Sequence, residues 1–262
     1  MTTAAPNPHE RVLHQQFDPR AAAYLHSAVH AAGPDLDAAR SLLAAHLAPD
    51  RRALDVGCGG GHLSFLLATL GAATVATDPS PGMLAAVRAG AAERDLAPRL
   101  QTVEATAEQL PFEEAHFDVV ATRYSAHHWR CLRPGLAEMR RVLRPGGRLL
   151  VIDVLGFADA LVDTHFQTLE LLRDRSHVRN RSAAQWQAVL AEQGFELEQQ
   201  ADFPLRLGFA PWVERMQTPP AKIAMLRTLQ LEAPDEVQRQ LAVEADGSFT
   251  ARTGLFLARR RE

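Results

Sequence analysis

The sequence predicts an α/β fold: a doubly wound sheet of seven strands covered by helices, with helical inserts on its second half. Three observations carry this expectation. Between residues 52 and 154, short apolar runs alternate with helix-compatible stretches. The runs are apolar on both faces, as in Val119-Val120-Ala121, which is how strands of a parallel sheet buried between helix layers read. After Val154 the pattern changes to longer amphipathic helices with two further strands.

Residues 1–9 read as a disordered lead-in, and 10–47 as two or three short helices broken at Asp18-Pro19 and Gly33-Pro34. The first strand is expected over 52–56 and the helix after it over 61–70. A second strand spans 73–77 and ends at Asp78, and a helix over 81–94 has Ser80 as its N-cap and Pro81 at its first position. Strands three and four fall at 100–104 and 117–122. A helix over 134–143 stops at Arg144-Pro145-Gly146-Gly147, whose glycines suit a turn, and the fifth strand runs over 148–154. Helices follow over 158–175 and 182–193, the latter ended by Gly194, then a strand over 195–203. Helical pieces over 211–245 are punctuated by Pro219-Pro220 and Pro234, and a seventh strand closes the chain over 248–258. There is no internal repeat. Inserts after the fifth and sixth strands would sit above the ligand crevice of a doubly wound sheet.

Composition excludes several function classes. The 262 residues are 47% hydrophobic, enough for one sizeable core, and the formal net charge of −3 gives no broad nucleic-acid surface. Two cysteines, Cys58 and Cys131, have neither metal-ligand spacing nor the density of a disulfide framework. The first residues lack the basic and apolar regions of a leader, and the most apolar stretch, 149–162, is interrupted by Asp153 and Asp159. The expectations are a reducing cytoplasm, no membrane span, and a monomer or homodimer.

Residues 53–61 read Ala-Leu-Asp-Val-Gly-Cys-Gly-Gly-Gly: an apolar strand ending in Asp55, then a glycine-dense turn, then a helix. Glycine lets backbone approach a ligand closely, and the following helix points its amides into the turn. Asp55, placed before the turn, would repel a phosphate and attract a cation, which suits a positively charged nucleoside. His62 stands where a dinucleotide fingerprint starting at Gly57 needs glycine, and no Gly-Lys-Ser/Thr phosphate loop is present. Asp78 ends the next strand, so two carboxylates share one edge of the sheet.

Five ordered blocks now carry a resemblance. Leu54-Asp55-Val56-Gly57-Cys58-Gly59-Gly60-Gly61, Thr77-Asp78-Pro79-Ser80-Pro81-Gly82-Met83-Leu84, Ala105-Thr106-Ala107-Glu108-Gln109-Leu110-Pro111-Phe112, Phe117-Asp118-Val119-Val120 and Leu143-Arg144-Pro145-Gly146-Gly147-Arg148-Leu149 resemble the motifs of class I S-adenosylmethionine-dependent methyltransferases, in the ubiquinone/menaquinone C-methyltransferase-like (type 11) branch. The resemblance covers residues 10–155. It implies a Rossmann-like sheet, mostly parallel with an antiparallel last strand. It divides one domain (10–262) into N-terminal helices (10–50), a cofactor-binding half (51–155) and a substrate-side half with lid inserts (156–262).

Carried over by residue, the resemblance implies that Gly57, Cys58, Gly59 and Gly61 shape the loop along the methionine part of S-adenosylmethionine, with Asp55 near its amino group or ordering water there. Asp78 would accept both ribose hydroxyls beside Pro79, and Met83 would pack on the adenine face. Thr106 stands where the family carries an acid for the adenine amino group, next to Ala107, whose backbone is suited to the adenine ring nitrogen, and Glu108. Tyr24 resembles a tyrosine that closes over the cofactor, and Arg123 belongs to the cofactor floor. After the fourth strand, Tyr124 and His127 are candidate proton acceptors, and His128 lies at the entrance to the acceptor site. His177, Arg179 and Asn180 form a polar group in the lid suited to an anionic or carbonyl substrate. Adjacent side chains point in different directions and no cysteine or carboxylate cluster completes a site, so no metal is expected. The reading is transfer of a methyl group to a carbon, oxygen or nitrogen of a small molecule by in-line displacement. The alternatives are an NAD-dependent oxidoreductase on a Rossmann sheet and a non-catalytic S-adenosylmethionine-fold binding protein.

Overall fold

The structure, a computed structural model, describes residues 8–25 and 31–262. Residues 1–7 of the expected lead-in lie outside the described residues, and the chain is helical from Pro8. Helices α1 (Pro8–Phe17) and α2 (Ala21–Leu25) flank a single 3-10 turn at Asp18–Arg20, and α3 (Pro34–Leu43) follows. Then come β1 (Arg52–Val56), α4 (His62–Thr69), β2 (Ala73–Asp78), α5 (Pro81–Ala92), β3 (Leu100–Glu104) and β4 (Phe117–Arg123). The second half contains α6 (Leu132–Val142), β5 (Leu143–Leu155), α7 (Ala160–Arg173), α8 (Ala183–Glu192) and β6 (Phe195–Leu207). It ends with α9 (Phe209–Arg215), α10 (Pro220–Leu231), α11 (Asp235–Leu241) and β7 (Phe249–Arg260).

The strands form one sheet in the order β3-β2-β1-β4-β5-β7-β6, parallel from β3 to β5, with β7 antiparallel to both its neighbours. Chain order reverses between β1 and β4, so the crevice at their C-terminal ends is the switch point at which such sheets bind ligands. Alternation along the strands feeds two cores. Leu54, Val56, Val120 and Val151 pack under α6 and α8, whereas Ala53, Val119, Ala121 and Ile152 pack under α3 and α4. Both faces are dry, as the continuous apolar runs require.

Several boundaries differ from the sequence reading for identifiable reasons. Gly61 takes φ +84° and caps α4, so that helix starts one residue later than expected. The Arg144–Gly147 turn is a wide interruption inside β5: pairing to β4 jumps from Leu143 to Arg148. Strands β6 and β7 extend past the expected ends because they pair with each other from Phe195↔Arg260 to Leu207↔Phe249. Helix α7 starts at Ala160, where the Asp159 side chain caps Leu161 and Val162 N–H at 2.9 and 3.0 Å, and it stops at Arg173. The inserts make their own core, in which Val162, Phe166 and Leu169 of α7 meet Trp212, Val237, Leu241, Phe249 and Ala251. That cluster fixes the inserts over the C-terminal edge of the sheet.

Candidate active site

The glycine turn is shaped by what lies beside it. Gly57 has φ +69°, and a Cβ there would fall 1.8 Å from Ser125 Oγ on the next loop. A Cβ on Gly60 would meet the Tyr24 carbonyl carbon and oxygen at 2.9 Å, so the N-terminal helices rest directly on the turn. Cys58 donates its N–H to the Thr77 carbonyl at 2.9 Å, which joins the turn to β2, and its half-buried side chain packs against the cluster of Phe65, Val87 and Leu100. At the end of β2, Asp78 Oδ2 accepts from Gly59 N–H and Oδ1 from Ser80 N–H, both at 2.9 Å. Burial pushes the Asp78 carboxyl up to about 6 despite those two amides. Asp55 lies beneath the turn, 1% exposed; its Oδ2 accepts from Ser64 Oγ at 2.6 Å and its Oδ1 has no hydrogen-bond partner among the described residues. Burial, opposed by Ser64 and reinforced by the Asp78 charge, raises Asp55 to about 7.

A cavity of about 480 Å³ opens above this edge. Of the expected cofactor residues, Tyr24, Gly57, Gly59, Asp78, Pro79, Met83, Thr106, Ala107 and Glu108 line it, and Asp55, Cys58, Gly61 and Arg123 do not. Met83 is held by the Ser80 cap, which accepts from its N–H at 3.0 Å, and is 2% exposed on the wall. Asp18 reaches over from the N-terminal helices to accept from Ser80 Oγ. The Tyr24 hydroxyl donates to Met216 Sδ at 3.4 Å, and its ring meets Phe17 edge-on at 5.7 Å between centroids. Glu108 accepts from Cys131 N–H at 3.1 Å, joining the β3 and β4 sides of the cavity. Glycine amides, the Asp78 carboxylate, a methionine and an aromatic lid on one cavity fit a cationic nucleoside, with Asp55 beneath the turn and not on the wall.

Arg123 is placed otherwise than expected. Its Nε donates to Asp35 of α3 at 2.6 Å in a pair whose side chains are both 5% exposed, and its guanidinium lies over the Tyr124 ring. It is a buried strut behind the site. Tyr124 lines the cavity, but its hydroxyl is 2.8 Å from Thr253 Oγ1 and burial pushes it up to about 12, so it is unsuited to take a proton at neutral pH.

His127 is set up differently. Its Nδ1 lies 2.5 Å from Asp153 Oδ1, and its main-chain N–H donates to Asp153 Oδ2 at 3.0 Å. Burial opposes the imidazolium, but the charge and hydrogen bond of Asp153, with Glu170 and Asp174, lift His127 above its ordinary value. With Nδ1–H committed to a carboxylate, the neutral ring presents Nε2 as an acceptor. The His128 ring is 4.1 Å from that of His127 and the His177 ring 5.9 Å away. Burial and the His127 charge push these two down, to about 3 and about 4, so both are neutral where His127 titrates. His128 lines the cavity beside Phe17; His177 lies behind it, with Nε2 2.9 Å from Gln167 Oε1. Arg179 faces outward to Asp163 at 3.0 Å, whereas Asn180 is on the wall.

Sequence reasoning missed Asp153, Glu170, Arg173, Asp174, Trp212 and Arg215. All but Asp153 line the cavity: Arg173 pairs with Glu170 at 2.8 Å and stacks over Trp212. An acid in the middle of the apolar fifth strand was the available signal for Asp153; the others had none. Among the described residues, no group of three or more His, Cys, Asp or Glu side chains is placed to hold a metal, and no helix is long and apolar enough to cross a membrane.

Residues 54–151 match the family described as a methyltransferase domain. YafE of Escherichia coli K12, an uncharacterized protein, is 40% identical over 191 residues, 73% of this chain and 92% of its own. The chain belongs to the methyltransferase family. YcgJ of Bacillus subtilis, an uncharacterized methyltransferase, is 29% identical over 222 residues, 85% of this methyltransferase and 87% of its own length. The solved structure of YcgJ superposes with a TM-score of 0.81 at 27% identity, over 87% of this chain and 98% of that one. The ubiquinone/menaquinone C-methyltransferase UbiE of Ectopseudomonas mendocina is 37% identical over 108 residues, 40% of this methyltransferase and 42% of UbiE.

Proposed function

We propose that this methyltransferase takes S-adenosylmethionine as its donor and methylates a small molecule by in-line displacement. The observation that carries the reading is that Asp78, Met83 and the glycine turn share one cavity with His127. The bound donor supplies an electrophilic methyl group on a sulfonium. Asp78 accepts the ribose hydroxyls, and Met83 packs on adenine beside Thr106 and Ala107. Asp55 acts through the turn, its charge favouring the cationic donor over the neutral thioether product. Tyr24, Phe17 and α1 close the cavity against water, which strengthens each polar interaction inside it. His127 takes the proton of the acceptor. The volume of about 480 Å³ lies within the range of small-ligand sites.

Calorimetric titration tests this. S-adenosylmethionine should bind wild type and bind Asp78→Ala more than about tenfold more weakly, since hydrogen bonds to a charged group are worth ~1.5–3 kcal/mol. Equal affinity for the two proteins, or tight NAD binding without S-adenosylmethionine binding, overturns the reading. Transfer of labelled methyl from S-adenosylmethionine into a metabolite extract then separates an enzyme from a binding protein.

A further inference from the structure

Asn180 is 2% exposed on the cavity wall, and among the described residues neither its Oδ1 nor its Nδ2 has a partner. Its backbone is fixed: Gln167 Oε1 accepts from its N–H at 3.1 Å and Gln167 Nε2 donates to its carbonyl at 2.7 Å. The main chain is therefore held in place while both polar ends of the buried side chain are unpaired among the described residues. A buried amide in that state is costly unless a ligand completes it. The segment it belongs to is tied to His127, whose carbonyl accepts from Val178 N–H at 2.8 Å and Arg179 N–H at 3.1 Å. His127, oriented by Asp153, thus shares the cavity with an amide that has an NH2 donor at one end and a carbonyl acceptor at the other.

We propose that the methyl acceptor is a phenol or enol whose hydroxyl stands next to a carboxamide-like donor–acceptor pair, with His127 taking the hydroxyl proton, Asp153 as the positioning residue, and Asn180 reading the neighbouring pair. This rests on the donor reading above. The O–H bond breaks and its proton passes to His127 Nε2. The oxygen lone pair forms the new bond to the sulfonium methyl carbon, and the electrons of the broken carbon–sulfur bond stay on sulfur, leaving a neutral thioether. An imidazole is matched to a phenol or enol, whose acidity is close enough for full proton transfer in the bound state near neutral pH. The groups facing His127 are Asp153 from β5, Glu170 and Asp174 at the end of α7, His128 beside it and His177 from the following loop.

The test uses the full chain loaded with S-adenosylhomocysteine, binding of which is measured first by calorimetry. Salicylamide is then added and read by its phenolate absorption, with 4-hydroxybenzamide as the isomer control. Wild type should bind salicylamide at least about tenfold more tightly than the control, and as phenolate below the pH at which the free phenol ionises. Asn180→Ala should lose about tenfold in salicylamide affinity with the bound probe still ionised. His127→Ala should bind it as the neutral phenol. Asp153→Asn, which keeps a hydrogen-bond acceptor, should retain binding while the phenolate fraction falls. Absence of salicylamide binding, equal binding of the isomers, or an ionised probe in His127→Ala each overturns the proposal. Failure of S-adenosylhomocysteine to bind instead overturns the donor reading.

Discussion

At the scale of single residues, the two carboxylates at the glycine turn are charges held where the fold does not favour them. Asp55 and Asp78 sit at about 7 and about 6, above their ordinary 3.8, because burial outweighs the few hydrogen bonds each receives. A carboxylate whose folded pKa is raised destabilises the fold when ionised, so this cost is absent below the unfolded value and complete above the folded one. Without ligand, these two groups make stability fall as pH rises from about 4 to about 7. Asp55→Asn should therefore melt several degrees higher than wild type at pH 8 and at the same temperature at pH 4, read by calorimetry. The same variant should bind a cationic donor more weakly, because the charge that strains the empty fold attracts the ligand. His127 has the opposite sign: its raised pKa gives stability fully present below 6.5 and lost as pH rises through the folded value. Proton acceptance needs the neutral ring, so the pH–rate profile should rise through a pKa above 6.5, and Asp153→Asn should move that limb to lower pH.

Gly57 is the residue at which local geometry is least tolerant. Its φ of +69° is strained for any other residue, and a Cβ would overlap Ser125 Oγ. Gly57→Ala should abolish donor binding in a titration while leaving the far-UV circular dichroism of the sheet unchanged.

At the scale of elements, helix α7 links the lid to the chemistry. Its N-terminus is capped by Asp159, its apolar side packs Val162, Phe166 and Leu169 into the lid core, and its C-terminus delivers Glu170, Arg173 and Asp174 to the cavity. Phe166→Ala should cost about 3–5 kcal/mol in denaturant unfolding, as a fully buried aromatic removed from a dry core. Asp159→Ala should cost about 1 kcal/mol, the usual worth of an N-cap. Both should loosen acceptor binding more than donor binding, because the lid core touches one wall of the cavity and the glycine turn forms the other.

At the scale of the molecule, the glycine-turn wall of the cavity comes from the first half and the opposite wall from the second, with the N-terminal helices lying across both. Arg20 Nη2 donates to the Met216 carbonyl at 3.1 Å and to Gln217 Oε1 at 3.2 Å, which links those helices to the lid. Asp18 links them to the donor side through Ser80. Arg20→Ala should therefore raise the rate of donor exchange in stopped-flow measurements with little change in melting temperature, since the variant loosens a strap on a fold whose core is elsewhere.

The alternation of strands and helices, the glycine turn, Asp78 at the end of β2 and the five ordered motifs were determined by the sequence alone. Each is local: periodicity, turn chemistry and short spacings declare themselves within a few residues. What depends on distant residues meeting was decided only by the tertiary structure. Asp35 lies 88 residues before Arg123, and their pairing turns a residue expected on the cofactor floor into a buried strut. Asp153 lies 26 residues after His127 on the neighbouring strand, and only the sheet order β4-β5 brings the carboxylate against the imidazole. Arg173, Trp212 and Arg215 reach the cavity because the lid inserts share a core, which no sequence spacing records. The sequence determined the glycine-turn wall because a backbone turn and a strand end make it. The opposite wall is made of side chains from separate elements, and their meeting is a property of packing.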